Sequence, residues 1–102
     1  SLVVMARIEL AAPVADDFDR ILEHLAQYEV AEAAARIDQI IQAINVLESN
    51  PLLGRPARND MRELIIGRQS RGYVALYRYV PEVDTVFMLA IRSQREAGYK
   101  SL

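Results

Sequence analysis

The order of hydrophobic patterns along the chain constrains its fold more than any other feature. Residues 4–10 alternate between apolar and polar side chains, residues 13–49 carry apolar side chains at spacings of three and four, and residues 62–91 return to strand-like segments. Alternation is typical of a half-buried strand, whereas spacings of three and four are typical of an amphipathic helix. The sequence therefore predicts the element order β-α-α-β-β-β.

Two helices are predicted in the first half of the chain. The first begins at Pro13, because a missing N–H needs no partner in the first helical turn, and it ends near Tyr28. The pair Asp16–Asp17 is placed in that first turn, where carboxylates complement the helix dipole, and no other role is assigned to it. The second helix covers roughly Ala31–Ser49 and ends at Asn50–Pro51. Together the apolar stripes consist of Phe18, Ile21, Leu22, Leu25, Tyr28, Ala33, Ile37, Ile40, Ile41, Ile44 and Leu47.

A Pro/Gly-rich loop and three strands are predicted in the second half. The loop covers residues 51–56, and the strands cover Arg62–Gly67, Tyr73–Tyr79 and Thr85–Ile91. Short connections make the three strands antiparallel neighbours. Two helices that cross the sheet down and back would leave the next strand opposite in direction to the first. We therefore expect a single α+β domain over residues 1–102, with an antiparallel sheet and a helical hairpin packed on one face.

The uncovered face of this sheet is expected to be partly apolar. In the strand over residues 73–79, one set of alternating side chains is Tyr73, Ala75, Tyr77 and Tyr79, and the other is Val74, Leu76 and Arg78. Both sets are largely apolar, so one packs on the helices while the other remains accessible. An open apolar face of this kind predicts a binding partner.

The charges of the two halves differ. Residues 1–51 contain three basic and nine acidic residues, and residues 52–102 contain nine basic and five acidic ones, although the whole chain has a net charge of only −2. A basic sheet behind acidic helices favours an anionic partner.

Composition excludes several classes of function. The absence of cysteine excludes disulfides, thiol catalysis and Cys-ligated zinc, and neither a metal site nor a cofactor is predicted. No apolar run approaches the roughly 20 residues of a membrane-spanning helix, and the first five residues do not form a secretory signal. We therefore expect a cytoplasmic protein that does not associate with membranes.

Several short motifs, in this order, resemble the ParE/RelE superfamily, the small toxins of bacterial type II toxin–antitoxin modules. They are the strand ending in Ala12–Pro13, the acidic Asp16–Asp17, the loop 50–56, the strand opening 62–64, the strand 72–78, the tail 91–96 and Tyr99. This resemblance spans nearly the whole chain.

The resemblance leaves two branches open. RelE-type members are ribosome-dependent mRNA endonucleases, for which the resemblance implies Arg92, Arg95 and Tyr99 as catalytic residues. However, Val74 replaces their usual arginine after the Gly-Tyr pair, and His24, on the first helix, is the only histidine. These departures favour the ParE-like branch, whose members inhibit DNA gyrase by binding.

The chemistry of RNA cleavage also favours the ParE-like branch. Cleavage of RNA requires a general base and a general acid, but an arginine does not exchange protons near neutral pH. The catalytic residues of a ParE-like protein are therefore left unassigned. Five arginines gather at strand ends and one turn, which predicts a target-binding role for them, although solvated surface charges would show the same pattern. Together with Tyr99, which the resemblance adds, the expected target-binding residues are Arg68, Arg71, Arg78, Arg92, Arg95 and Tyr99.

The resemblance also implies partners. A ParD-like antitoxin is expected to contact the helical hairpin together with Leu52, Leu53, Leu76 and Arg78. DNA gyrase is the expected target, with the ribosome and its mRNA as the alternative, and the toxin alone is not expected to bind specific DNA sequences. Such modules act in plasmid stabilisation. A third possibility is a degenerate toxin that retains only antitoxin binding.

Overall fold

The computed structural model describes residues 5–27, 29–68, 72–96 and 98–99. In chain order the elements are β1 (Arg7–Leu10), α1 (Ala12–Leu25), α2 (Val30–Val46), β2 (Arg55–Pro56), β3 (Arg62–Ile66), β4 (Tyr73–Val80) and β5 (Thr85–Ser93). The α+β class and all six predicted elements are confirmed. The two-residue strand β2 is an addition within the predicted loop, and Tyr28 lies outside the described residues. Within the described ranges, neither helix has the length and apolar run needed to cross a bilayer.

The sheet is mixed, with the strand order β1-β5-β4-β3-β2. β1 and β5 are parallel, from Arg7 opposite Thr85 to Leu10 opposite Met88, while the other three neighbouring pairs are antiparallel. The prediction of an entirely antiparallel sheet was therefore wrong in one pairing. β3 runs in the same direction as β1, not opposite to it.

The path of α1 explains the parallel pair. β1 ends opposite Met88, and Asp17 of α1 accepts a 2.8 Å hydrogen bond from the N–H of Ile91, three residues farther along β5. α1 thus continues in the direction of β1 instead of returning across the sheet. α2 does return, because the carbonyl of Glu48, just beyond its end, accepts a 2.8 Å bond from the N–H of Ala6. Only one of the two helices reverses the chain, so β3 shares the direction of β1.

The two helices cover one face of the sheet and form the core with it. Tyr73, Ala75 and Tyr77 of β4 point toward the helices and are buried. The other large core side chains are Val14, Ile21, Leu25, Ile40, Ile44, Leu47, Leu64, Ile66, Val86, Met88 and Ile91. Full burial of one such side chain stabilises a fold by about 1.5–3 kcal/mol, so this layer is the main source of stability.

An ion pair between the buried Asp17 and the partly buried Arg20 binds the edge of β5 that extends beyond the end of β1. Asp17 is fully buried; its Oδ2 accepts the bond from Ile91, and its Oδ1 accepts a 2.7 Å bond from Arg20. Arg20 also donates to the carbonyl of Ile91 at 3.2 Å and to Glu96 at 2.7 and 3.0 Å. Because no strand of the described residues lies beside Ile91 on this side, two side chains of α1 take over the role of a neighbouring strand.

This contact corrects the role predicted for Asp16 and Asp17. α1 begins at Ala12, so neither carboxylate lies in the first helical turn. Asp16 is exposed, whereas Asp17 binds the sheet. The sequence carries one signal of this role, which is the spacing of three residues between Asp17 and Arg20.

Candidate functional site

The sheet face away from the helices is less accessible than predicted. Val74 and Leu76 of β4 point to this face, yet they are only 2% and 3% exposed. Ala90, opposite Leu76 on β5, is also buried. The prediction of an accessible apolar face was therefore wrong at its centre, and Leu76 is out of reach of a partner in this structure.

The tail residue Tyr99 covers this face. Its hydroxyl donates a 2.6 Å hydrogen bond to Glu63 on β3, and the guanidinium of Arg92 on β5 lies 5.2 Å from its ring centroid. Glu63 is opposite Leu76 and Arg92 is opposite Val74, so the ring spans β4 above these two apolar residues. The cation–π contact and the hydrogen bond hold the tail against the sheet.

The contact between Tyr99 and Glu63 shifts both groups. Burial, and then the hydrogen bond to Glu63, raises the pKa of Tyr99, so the phenol stays protonated at neutral pH. The hydrogen bond from Tyr99, and then the one from Arg55, lowers the pKa of Glu63 against the opposing effect of burial. A neutral phenol that donates to a carboxylate is suited to binding rather than to proton transfer near neutrality.

Acidification is expected to release Tyr99 from Glu63. Because the pKa of Glu63 is lowered from 4.5 on folding, its stabilising contribution is complete above that value and is lost as the pH falls through the lower folded value. NMR of the Tyr99 ring during titration from about pH 6 to about pH 3 would follow the release. In Glu63→Gln this dependence should disappear, and an unchanged titration in that variant would contradict the assignment.

The predicted arginines do not form one cluster. Arg92 lies against Tyr99, whereas Arg95 is exposed and lines a cavity on the helical side. Arg78 is exposed on β4, four residues beyond Val74, which is the residue opposite Arg92. Four residues correspond to about 13 Å along the strand. Among these predicted contacts, the structure therefore brings together Arg92 and Tyr99 only.

The connection between β3 and β4 carries two other predicted target contacts. Arg68 is exposed there, and Arg71 lies outside the described residues. The predicted role of this connection in target binding therefore stays a prediction.

A polar cavity of about 450 Å³ lies where the two helices meet the ends of β4 and β5. Its polar lining consists of Arg20, His24, Glu32, Arg36, Tyr73, Ser93, Arg95 and Glu96. Much of the charge is paired internally, Arg20 with Glu96 at 2.7 Å and Arg36 with Glu32 at 3.1 Å, so no class of ligand is indicated. Nor do any three His, Asp or Glu side chains in the described part of the chain form a group able to hold a metal ion.

A continuous apolar surface lies on the helical hairpin, and the sequence analysis did not resolve it into residues. Two shallow depressions of about 690 and 680 Å³ share Leu22, Ile37 and Ile41. One depression extends to the exposed Leu10 at the end of β1, and the other to the exposed Val30 at the start of α2. We call these five residues the hairpin groove. Exposed apolar surfaces of this kind are typical of binding sites, so the hairpin groove is a candidate for one.

The apolar stripes of the helices are wider than the sheet can cover. Ile21 and Ile40 are buried, whereas their chain neighbours Leu22 and Ile41 are 47% and 44% exposed. A helix turns about 100° per residue, so both members of an adjacent apolar pair cannot face one sheet. Such pairs are the sequence signal from which the hairpin groove could have been predicted.

The predicted antitoxin contacts Leu52 and Leu53 lie beside β2. They are 59% and 55% exposed, although the backbone that carries them is firmly held. The N–H of Gly54 donates a 2.7 Å bond to the hydroxyl of the buried Tyr77. Arg62 donates to the carbonyls of Gly54 at 2.7 Å and Leu52 at 3.2 Å. The two leucines are thus accessible on a rigid segment.

Solved structures share this fold. A chain of the chromosomal ParDE TA system from P. aeruginosa matches with a TM-score of 0.72 and 22% identity, covering 87% of this chain and 96% of that chain. A chain of the toxin–antitoxin complex RelBE2 from Mycobacterium tuberculosis matches with a TM-score of 0.59 and 20% identity, covering 93% and 98%. A chain of the intact E. coli RelBE complex matches with a TM-score of 0.50 and 15% identity, covering 89% and 99%. This chain therefore has the fold found in chains of ParDE and RelBE toxin–antitoxin systems.

Sequence comparison identifies the family within this class. The model of the family described as "ParE toxin of type II toxin-antitoxin system, parDE" matches residues 8–98. The chain belongs to this ParE toxin family, which confirms the resemblance seen in its motifs. No curated protein matches the sequence.

Proposed function

We propose that this toxin acts by binding, with DNA gyrase as its target and a ParD-like antitoxin as its inhibitor. Membership of the ParE family supports this target, and the likeness to a chain of a ParDE system supports an antitoxin partner. The observation that carries the proposal is the exposed hairpin groove, an apolar surface suited to protein binding. The proposal places the toxin in the cytoplasm, as part of a plasmid-stabilisation module.

The hairpin groove is the proposed binding site of the antitoxin. Four of its five apolar side chains lie on two neighbouring helices and the fifth, Leu10, ends β1, an arrangement that can accommodate the apolar face of an amphipathic helix. Asp38 and Glu48 lie at its borders, whereas the charge of Arg7 there is paired with Glu9, so basic residues beside the apolar stripe of the antitoxin would complement the groove. The excess of acidic residues in the helical half would then help to select a basic antitoxin segment.

Replacing Ile41 with serine is expected to weaken antitoxin binding about 10-fold. Ile41 is 44% exposed in the centre of the hairpin groove, so a partner would bury less than half of its side chain, a contact worth about 1–1.5 kcal/mol. Isothermal titration calorimetry with the purified cognate antitoxin measures the effect. Ile65→Ser on β3 is the matched control, because Ile65 has the same 44% exposure as Ile41 but lies on the sheet. Equal losses in the two variants would argue against the groove.

The gyrase assignment is tested by DNA supercoiling with purified toxin. We expect inhibition of supercoiling and stabilised DNA breaks, both reversed by the antitoxin. If induction of the toxin arrests growth but gyrase is unaffected in vitro, gyrase is not the target. If overexpression is harmless while the antitoxin still binds, the chain is a degenerate toxin.

The contact between Arg92 and Tyr99 favours one alternative. That alternative is an mRNA endonuclease, for which the resemblance implies three catalytic residues. Two of them, Arg92 and Tyr99, lie together on the sheet, whereas the third, Arg95, lines the polar cavity. A reconstituted translation system would then show transcript cleavage at the ribosomal A site. Tyr99→Phe should abolish that cleavage without unfolding the protein, and an absence of cleavage by the unmodified chain would remove this alternative.

A further inference from the structure

A second accessible surface lies at the opposite edge of the sheet from the hairpin groove. We call residues 52–60, on both sides of β2, the β2-edge segment. β1 borders the hairpin groove and β2 is the other outermost strand, with three strands between them. At about 4.8 Å per strand, β1 and β2 are about 19 Å apart across the sheet.

The backbone of the β2-edge segment is held from both sides. Tyr77 and Arg62 bind its first part, at Leu52 and Gly54, as described above. Arg78 donates a 2.9 Å bond to the carbonyl of Asn59, which holds the turn after β2. An exposed segment that is already ordered loses little conformational freedom when a partner binds it.

The β2-edge segment and its neighbours carry a positive charge, because two carboxylates, Asp60 and Glu63, are outnumbered by the arginines Arg55, Arg58, Arg62 and Arg78. Arg55 is paired with Glu63 at 3.1 Å, but Arg62 and Arg78 donate to backbone carbonyls, which leave the guanidinium charges uncompensated. Arg58 is exposed and has no carboxylate partner in the described part of the chain. Exposed cations around two exposed leucines complement a protein surface that presents carboxylates around an apolar side chain.

Two features limit the kind of partner. Pro56 has no N–H, and β2 is only two residues long, so a partner strand cannot extend the sheet here. Contact must therefore be made through side chains. A nucleic acid would use the arginines but would leave Leu52 and Leu53 without an apolar partner, whereas a protein would use both.

We infer that the β2-edge segment is the surface through which this toxin docks on an acidic, apolar-centred region of its target protein, separate from the antitoxin groove. The inference rests on the proposed function in that it requires a protein target. It reassigns Leu52 and Leu53 from antitoxin binding to target binding.

The test is the double substitution Leu52→Ser and Leu53→Ser in the full chain. The amount of toxin needed to arrest growth, quantified by immunoblot during graded induction, is expected to rise at least about 10-fold, because exposed apolar contacts at a docking site carry much of its affinity. Antitoxin affinity, measured by calorimetry, should stay within about 2-fold of the unmodified value because the hairpin groove is intact. Val83→Ser is the control, since Val83 is also 59% exposed but lies in the turn between β4 and β5.

Each other outcome overturns the docking proposal in a distinct way. Undiminished arrest by the double variant removes the leucines from target binding, and if Arg58→Ala alone then abolishes arrest, the partner is a nucleic acid. An equal loss of antitoxin affinity assigns the segment to the antitoxin interface. Absence of arrest by the unmodified chain removes target docking altogether. Failure of the gyrase assignment alone is distinguishable from these outcomes. In that case growth arrest still depends on the two leucines, but the toxin does not affect supercoiling by gyrase.

Discussion

Replacing Asp17 with alanine is expected to destabilise the folded protein by about 3 kcal/mol, at the upper end of the usual cost of leaving a buried hydrogen-bonding group unsatisfied. The substitution leaves the buried N–H of Ile91 without an acceptor and removes one carboxylate partner of Arg20. For a domain of this size, thermal unfolding followed by circular dichroism should show a midpoint lower by at least about 12 °C.

The neighbouring carboxylate provides the matched control. Asp16 is exposed, so Asp16→Ala should change stability by less than about 0.5 kcal/mol. Asp17→Asn should be intermediate, because its amide oxygen can still accept the bond from Ile91 but has no charge to offer Arg20. Equal stability of the two alanine variants would contradict the role of Asp17 as a substitute for a neighbouring strand.

Gly54→Ala is expected to destabilise the fold by about 3 kcal/mol, at the upper end of the usual range for overpacking. A β-carbon at this position would lie 2.7 Å from both Cε1 and the hydroxyl of Tyr77, and 2.9 Å from the carbonyl oxygen of Glu63. The Tyr77 ring is fully buried and the carbonyl belongs to β3, so neither can move without disturbing the core or the sheet.

Gly98→Ala is the control for this change. Among the described residues beyond its chain neighbours, no atom lies within 4 Å of a β-carbon built at Gly98, so the same substitution there should leave the unfolding midpoint nearly unchanged. Tyr77→Phe should relieve part of the strain in the Gly54→Ala background, since it removes one of the two close contacts with the ring. Additive losses in the double variant would show that the clash with the hydroxyl is not the cause.

The elements were predictable from the sequence because periodicity and chain breakers act locally. β4 was expected over 73–79 and covers Tyr73–Val80, and β5 was expected over 85–91 and covers Thr85–Ser93. The relative directions of the strands were not predictable in this way. It depends on whether α1 continues or reverses the path of β1, and the hydrogen bond that reveals this joins Asp17 to Ile91, 74 residues away.

The candidate surfaces were only partly predictable. Exposure of Leu52 and Leu53 agrees with their predicted place in a Pro/Gly-rich loop. Burial of Leu76 could not be anticipated, because strand alternation shows which face a side chain occupies but not whether a distant tail covers that face. Tyr99 was singled out in the tail, yet its partner Glu63 lies 36 residues earlier and was assigned only to a strand.

The parallel pairing of β1 with β5 has a consequence for synthesis of the protein. β5 lies between the first strand and β4, and it also supplies Ile91 to α1. Contacts this distant in sequence form late, because a long stretch of chain must be closed before they become possible. A nascent polypeptide still lacking Thr85–Ser93 therefore leaves its first strand without a neighbour in the sheet, so the fold can be completed only after β5 has been synthesised.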